Sequence, residues 1–137
     1  MASRSEARTE FLGDIITAAV EGGTGYWAQV SQYQWVDDLD PGKPVRVSVG
    51  ERVGDGARAV LHPLNEDESG YEETGHVIDV EKIAMGLATI EREIHCCNER
   101  LRKRILRANR ENDAGLIDAD DADVIVQIAI FDQIVYG

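Results

Sequence analysis

The chain has 137 residues, 43% of them hydrophobic, and 26 Asp plus Glu against 14 Lys plus Arg leave a formal net charge of −12. That length supports one core and is short for two, so a single domain spanning residues 1–137 is expected. The charge repels nucleic acid and anionic membranes and attracts basic partners or cations, which argues against direct nucleic-acid or membrane binding; the plain alternative is that it serves only solubility.

The first predicted element is an amphipathic helix. Ser3 and Glu6 have capping-box spacing, and Phe11, Leu12, Ile15, Ile16, Ala19 and Val20 recur at helical intervals. Gly22 and Gly23 supply its stop, since glycine adopts the left-handed conformation cheaply. From Tyr26 to Val36 the pattern alternates, with Trp27, Tyr33 and Trp35 on one strand face and Ala28, Val30 and Val36 on the other. After the turn "DDLDPGKP" come a second strand, Val45–Val49, the loop "GERVGDG", and a third strand, Ala57–Leu64. Their spacing suits an antiparallel meander. The acidic stretch Asn65–Gly75 reads as an exposed, mobile loop.

The second half reads as helical. Ile83, Leu87, Ile90, Ile94, Cys97, Leu101, Ile105 and Ala108 keep steps of three and four, giving one long helix or two broken near His95–Cys96. Asp79 is the expected N-cap and Gly115 the stop. "DADDAD" (Asp118–Asp123) is an acid-rich first turn suited to a helix N-terminus. The body that follows, "VIVQIAIFDQIV", is strand-like by β-branching but is read as a buried helix from its apolar circumference. The expected fold is therefore α+β: an N-terminal helix, a three-stranded antiparallel β-meander and a helical C-terminal half.

Few patterns carry chemistry. "GGTG" follows a helix and precedes a strand, the reverse of a dinucleotide loop, and neither glycine-rich stretch has the lysine of a P-loop. Trp27, Tyr33 and Trp35 can form a stacking platform, although rings at that spacing are more often core. "RENDAGLIDADD" resembles a helix–loop–helix calcium loop at Gly115, Ile117 and Asp121, yet Arg110 stands at its first ligand place and Ala114 at its fifth. In "IHCC", His95, Cys96 and Cys97 occupy successive helical positions, splayed by about 100° each, and cannot converge on one metal ion. No metal or cofactor is expected. No nucleophile motif is present, so no enzymatic activity is expected.

The start of the chain, "MASRSEARTEF", lacks the apolar core of a signal peptide, and the longest apolar run, Val124–Phe131, is well below the roughly 18 residues that span a bilayer. Two adjacent cysteines cannot build a disulfide framework, so the expected location is a reducing bacterial cytoplasm. Against the overall charge, Arg100, Arg102, Lys103, Arg104, Arg107 and Arg110 cluster between Glu99 and Arg110. They read as a solvated helix face neutralised by acids of the same chain or a twin subunit, with a basic self-association patch as the alternative.

The run "FLGDIITAAVEGGTGYWAQVSQYQW" (Phe11–Trp35) and the ending "DADDADVIVQIAIFDQIVYG" (Asp118–Gly137) resemble small uncharacterised proteins of actinobacteria and their phages and plasmids. These share a helix, a Gly-Gly-x-x-Tyr-Trp step and an aromatic strand. Gly22, Gly23, Tyr26 and Trp27 match position by position, while Asp132 stands where those proteins tend to have glycine. The resemblance covers about a third of the chain and implies a phage or mobile-element origin without implying an activity.

Three functions are consistent with these features. The first is a non-enzymatic accessory protein that binds a basic host protein, itself nucleic-acid-binding, as an acidic mimic that inhibits a host defence or DNA-binding protein. Its candidate surface is Asp37, Asp38, Asp40, Glu66, Asp67, Glu68, Glu72 and Glu73. The second is a small-ligand module for nucleotide-like molecules, using Gly22, Gly23, Tyr26 and Trp27. The third is a self-assembling homo-oligomer that sets its basic helix against acidic surface.

Overall fold

The computed structural model describes residues 5–36, 44–46 and 56–137, with side chains described over 5–33 and 57–137. Helix α1 (Glu6–Ala18) is capped by Ser5, whose hydroxyl accepts the Arg8 amide at 3.1 Å. The expected cap, Ser3, lies outside the described residues. Beyond Ala18 the helix widens into one π-type turn, Ala19–Gly23, closed by the Thr24 amide on the Ala19 carbonyl. Neither glycine of this turn has the left-handed conformation expected of a helix stop. Gly23 is instead a close-approach residue. A Cβ there would stand 2.5 Å from the Ala119 carbonyl oxygen of the last helix.

Thr24–Trp27 form a turn, so strand β1 begins at Ala28 and runs to Val36. It is joined by β2 (Pro44–Arg46), β3 (Gly56–Pro63) and β4 (His76–Asp79) in an antiparallel sheet of order β2-β1-β3-β4. The α+β class and the antiparallel sheet are as the sequence suggested, but the strand order is not that of a meander. Strand β1, rather than β2, lies in the centre, and β4 was not anticipated. A register shift between Val30 and Gln32 marks a bulge at Ser31. One extra residue reverses the alternation, so Val30 and Tyr33 pair with Leu61 and Ala59 and both pack on the core. Their expected placement on opposite faces is therefore wrong. Trp35 pairs in register with Ala57, and its side chain lies outside the described residues.

The acidic stretch is exposed, as expected, and folds into a turn. Leu64 bridges Tyr71, the Asn65 amide donates to the Gly70 carbonyl, and Asp67 accepts from both the amide and the hydroxyl of Ser69. Asp79 closes β4 and caps α2 (Val80–Arg92), accepting the Lys82 amide at 2.8 Å.

The helical stripe resolves into two helices, α2 and α3 (Glu99–Glu111), with Glu93–Asn98 between them. His95, Cys96 and Cys97 therefore lie in this break and not at successive helical positions, and Ile94 is exposed. Helix α3 stops at Asn112, which is left-handed (φ 50°), so Gly115 is not the stop; it sits in the following 3-10 turn, Ala114–Leu116. The capping box on α4 (Ala119–Phe131) is complete, with Asp118 and Asp121 each accepting the other's amide. That reciprocal cap and the acid-rich first turn offset the β-branched body, and burial does the rest. Asp132 ends α4 in the left-handed conformation (φ 61°), which a short polar side chain tolerates.

Buried residues of α1 (Phe11, Leu12, Ile15, Ile16), the sheet (Ala57, Ala59, Leu61, Ile78) and α2 (Ile83, Leu87, Ile90) meet Ile125, Val126 and Ile128 of α4 in one core. Each large aliphatic or aromatic side chain so buried contributes about 1.5–3 kcal/mol. The alanines of β3 keep its inner face low enough for α1 to lie on it. Helices α2 and α4 are also tight, since a Cβ on Gly86 would come within 2.8 Å of the Ala129 methyl group. Among the described residues no helix is long and apolar enough to cross a membrane.

Candidate functional site

Tyr26 and Trp27 occupy a turn rather than a strand, and their side chains differ in burial. Trp27 is fully buried, while Tyr26 is 53% exposed. Both reach the same acid on α4. The Trp27 indole Nε1–H donates to Asp123 Oδ1 at 2.7 Å, and the Tyr26 hydroxyl donates to Oδ2 at 2.6 Å. One turn along α4, Gln127 donates through Nε2 to Asp123 Oδ1 and to the Tyr136 carbonyl, each at 3.0 Å. Its Oε1 accepts the amides of Val135 and Tyr136, both at 2.8 Å. The Gln127 amide thus uses both donors and both acceptor sites within the fold. Tyr136, held by this fork, stacks on Trp27 with ring centroids 4.8 Å apart and planes 7° from parallel. Phe131 tilts against both rings.

Burial and the hydrogen-bonded Asp123 carboxylate push Tyr26 up to about 12, so its hydroxyl remains a donor throughout the physiological range. Beside this cluster opens a cleft of ≈ 600 Å³ whose wall includes Tyr26, Asn65, Glu66, Glu68, Glu72 and Tyr136. All three glutamates are exposed. Glu68 holds a left-handed backbone (φ 58°), a conformation that glycine or asparagine takes more readily. The Ser69 hydroxyl and amide hold the Asp67 carboxyl below the usual carboxylate range. The cleft is therefore an anionic surface with a phenol rim and a ring floor, suited to a cationic, partly apolar group.

The structure brings together candidates that the sequence had assigned to different functions. Glu66, Glu68 and Glu72 share the cleft with Tyr26 and the edge of Trp27. Asp67 and Glu73 are exposed outside its wall. Gly22 and Gly23 face the start of α4 instead, near Ala119. Asp37, Asp38 and Asp40 lie outside the described residues. Asp123, Gln127 and Tyr136 were missed, although the i, i+4 pair of polar residues interrupting an apolar helix was a legible signal.

Other charged residues have partners inside the fold. Arg104 of α3 forks onto the buried Asp121 carboxylate at 2.8 and 2.6 Å. Arg102 donates to the Ile90 and Glu91 carbonyls at the end of α2. Lys103 pairs with Glu99 and Arg107 with Glu111. Arg102 and Arg104 thus tie α3 to its neighbours, while Lys103 and Arg107 pair within the helix. Asp121, weighed above at the last place of a calcium loop, serves as the ion-pair partner of Arg104, and Asn112 is the C-cap of α3. Compared with protein-family models, with curated proteins and with solved structures, the chain matches none.

Proposed function

We propose that this chain is a non-enzymatic accessory protein of a phage or mobile element that binds a basic segment of a host protein, acting as an acidic decoy for a surface that otherwise meets nucleic acid. The observation that carries the reading is the placement of Glu66, Glu68 and Glu72 around one cleft with Tyr26 at its rim. Clustered, solvent-facing carboxylates attract arginine and lysine over a distance of about one Debye length, roughly 8 Å at physiological ionic strength. The aromatic rim adds the face that guanidinium groups stack on. The strained Glu68 backbone supports it further: a carboxylate is kept where glycine would cost less. The small-ligand reading loses support, because Trp27 is buried, its Nε1 is used by Asp123 and its ring is covered by Tyr136.

The test is binding of an oligo-arginine peptide to the intact protein across a salt series, followed by affinity purification from bacterial lysate with mass spectrometry. Replacing Glu66, Glu68 and Glu72 together by Gln is expected to weaken peptide binding about tenfold or more and to flatten its salt dependence. Unchanged binding by a folded triple variant refutes the cleft as the contact surface.

A further inference from the structure

The break between α2 and α3 holds the two cysteines of the chain side by side, with Cys96 Sγ and Cys97 Sγ 3.6 Å apart. Successive residues in a helix or strand point their side chains away from each other. Here the non-helical backbone of Glu93–Asn98 turns both thiols to the same side. Cys96 also lines an open cavity of ≈ 570 Å³ with Arg92, Glu93, His95 and Asp132, so a small reactant has a path to its sulfur.

We propose that Cys96 and Cys97 are a redox-active vicinal dithiol, a site of reversible intramolecular disulfide formation by low-molecular-weight disulfides. The Cys96 sulfur, as thiolate, attacks one sulfur of the incoming disulfide, forming a mixed disulfide and releasing one thiolate. The Cys97 thiol then gives up its proton and its sulfur attacks the Cys96 sulfur of the mixed disulfide, forming the Cys96–Cys97 bond and displacing the second thiolate, which takes up a proton. The chain loses two protons and two electrons, and the small disulfide is reduced to two thiols. Burial and the neighbouring Cys96 push Cys97 up to about 12, which disfavours its thiolate in the reduced chain.

Geometry sets the character of the bond. Ring closure brings the sulfurs from 3.6 Å to about 2.05 Å. The Cα atoms of adjacent residues are held at about 3.8 Å by the peptide bond, below the roughly 4.4–6.8 Å usual for a disulfide. The bond is strained, and strained disulfides are the readily reduced, regulatory kind. Reduced thiols are the resting state, and oxidation marks a shift in the surrounding thiol pool. The consequence falls on α3, because Asn98, next to Cys97, caps that helix by accepting the Arg100 and Leu101 amides.

The test equilibrates the full chain in a graded series of reduced and oxidised glutathione, quenches with acid, alkylates free thiols and reads intact and peptide masses. The expected product is a monomer lighter by two hydrogens, with the bond between Cys96 and Cys97, fully reversed by dithiothreitol. Amide exchange at Arg100 and Leu101 is expected to quicken in that product. Cys97→Ser is expected to stop at a single glutathione adduct on Cys96, and Cys96→Ser to form its adduct more slowly. Persistent glutathione adducts on the wild-type chain, disulfide-linked dimers, or thiols still reduced at the oxidising end of the series each overturn the proposal.

Discussion

The indole of Trp27 and the carboxylate of Asp123 meet at 2.7 Å across 96 positions of sequence, joining the turn before the sheet to the middle of the last helix. Asp123 Oδ1 also accepts from Gln127, so one buried oxygen serves two elements and the chain's final residues through them. Removing the carboxylate leaves the indole donor buried and unpaired. Asp123→Ala is therefore expected to cost about 2–3 kcal/mol in urea unfolding. In a double-mutant cycle with Trp27→Phe, a coupling of about 1 kcal/mol or more is expected, and additive losses would mean that the bond contributes nothing.

Tyr26 makes the fold sensitive to alkaline pH. Its folded value of about 12 lies above the ordinary 10.0, so the neutral hydroxyl is the form the fold favours. The stability this supplies is complete below pH 10 and is lost as pH rises towards 12. Tyr26→Phe cannot ionise. Its melting temperature is expected to fall less steeply than that of the wild type between those two pH values, and parallel curves would remove Tyr26 from the account.

The two glycines after α1 separate two explanations of their presence. A Cβ on Gly22 finds only the Ala119 methyl at 3.7 Å, whereas one on Gly23 meets a carbonyl oxygen. Gly22→Ala is expected to be neutral or to stabilise by about 0.5 kcal/mol, since alanine loses less entropy on folding. Gly23→Ala is expected to destabilise by about 1–3 kcal/mol through the forced shift of α4. Equal losses at both positions in thermal melts would restore the left-handed stop.

Arg104 supports a buried acid while its neighbours face water. The Asp121 side chain is 2% exposed and Arg104 is 43% exposed. Arg104→Met is expected to cost about 2 kcal/mol, below the roughly 3–5 kcal/mol of a fully buried pair. Lys103→Ala, which removes a surface pair with Glu99, is expected to cost under about 0.5 kcal/mol by chemical denaturation.

Glu68 couples strain to the proposed binding. Glycine relieves the left-handed backbone at φ 58°. Glu68→Gly is therefore expected to raise stability by about 1 kcal/mol while weakening oligo-arginine binding. Stability and binding that rise together would argue that the carboxylate has no role in the cleft.

Local signals were sufficient wherever the physics is local. Asp79 and Asp118 mark their helices because a cap needs only a side chain and an amide three residues on. The helical stripe located α2 and α3, because periodicity is a property of short segments. What escaped needed a partner from elsewhere in the chain. The Ser31 bulge is defined only by register against β3, and β4 is four residues that become a strand by pairing with β3. Gly23 is explained by the Ala119 carbonyl that passes over it. Glu66, Glu68 and Glu72 were visible as acids, but their convergence with Tyr26 depends on the turn after β3 lying beside the turn before β1. Sequence by itself determined charge, the starts of α2 and α4 and the α+β class. Tertiary structure decided which of the many carboxylates are buried partners and which line a cleft, because a carboxylate's role follows from the donors and the solvent around it, and these come from distant residues.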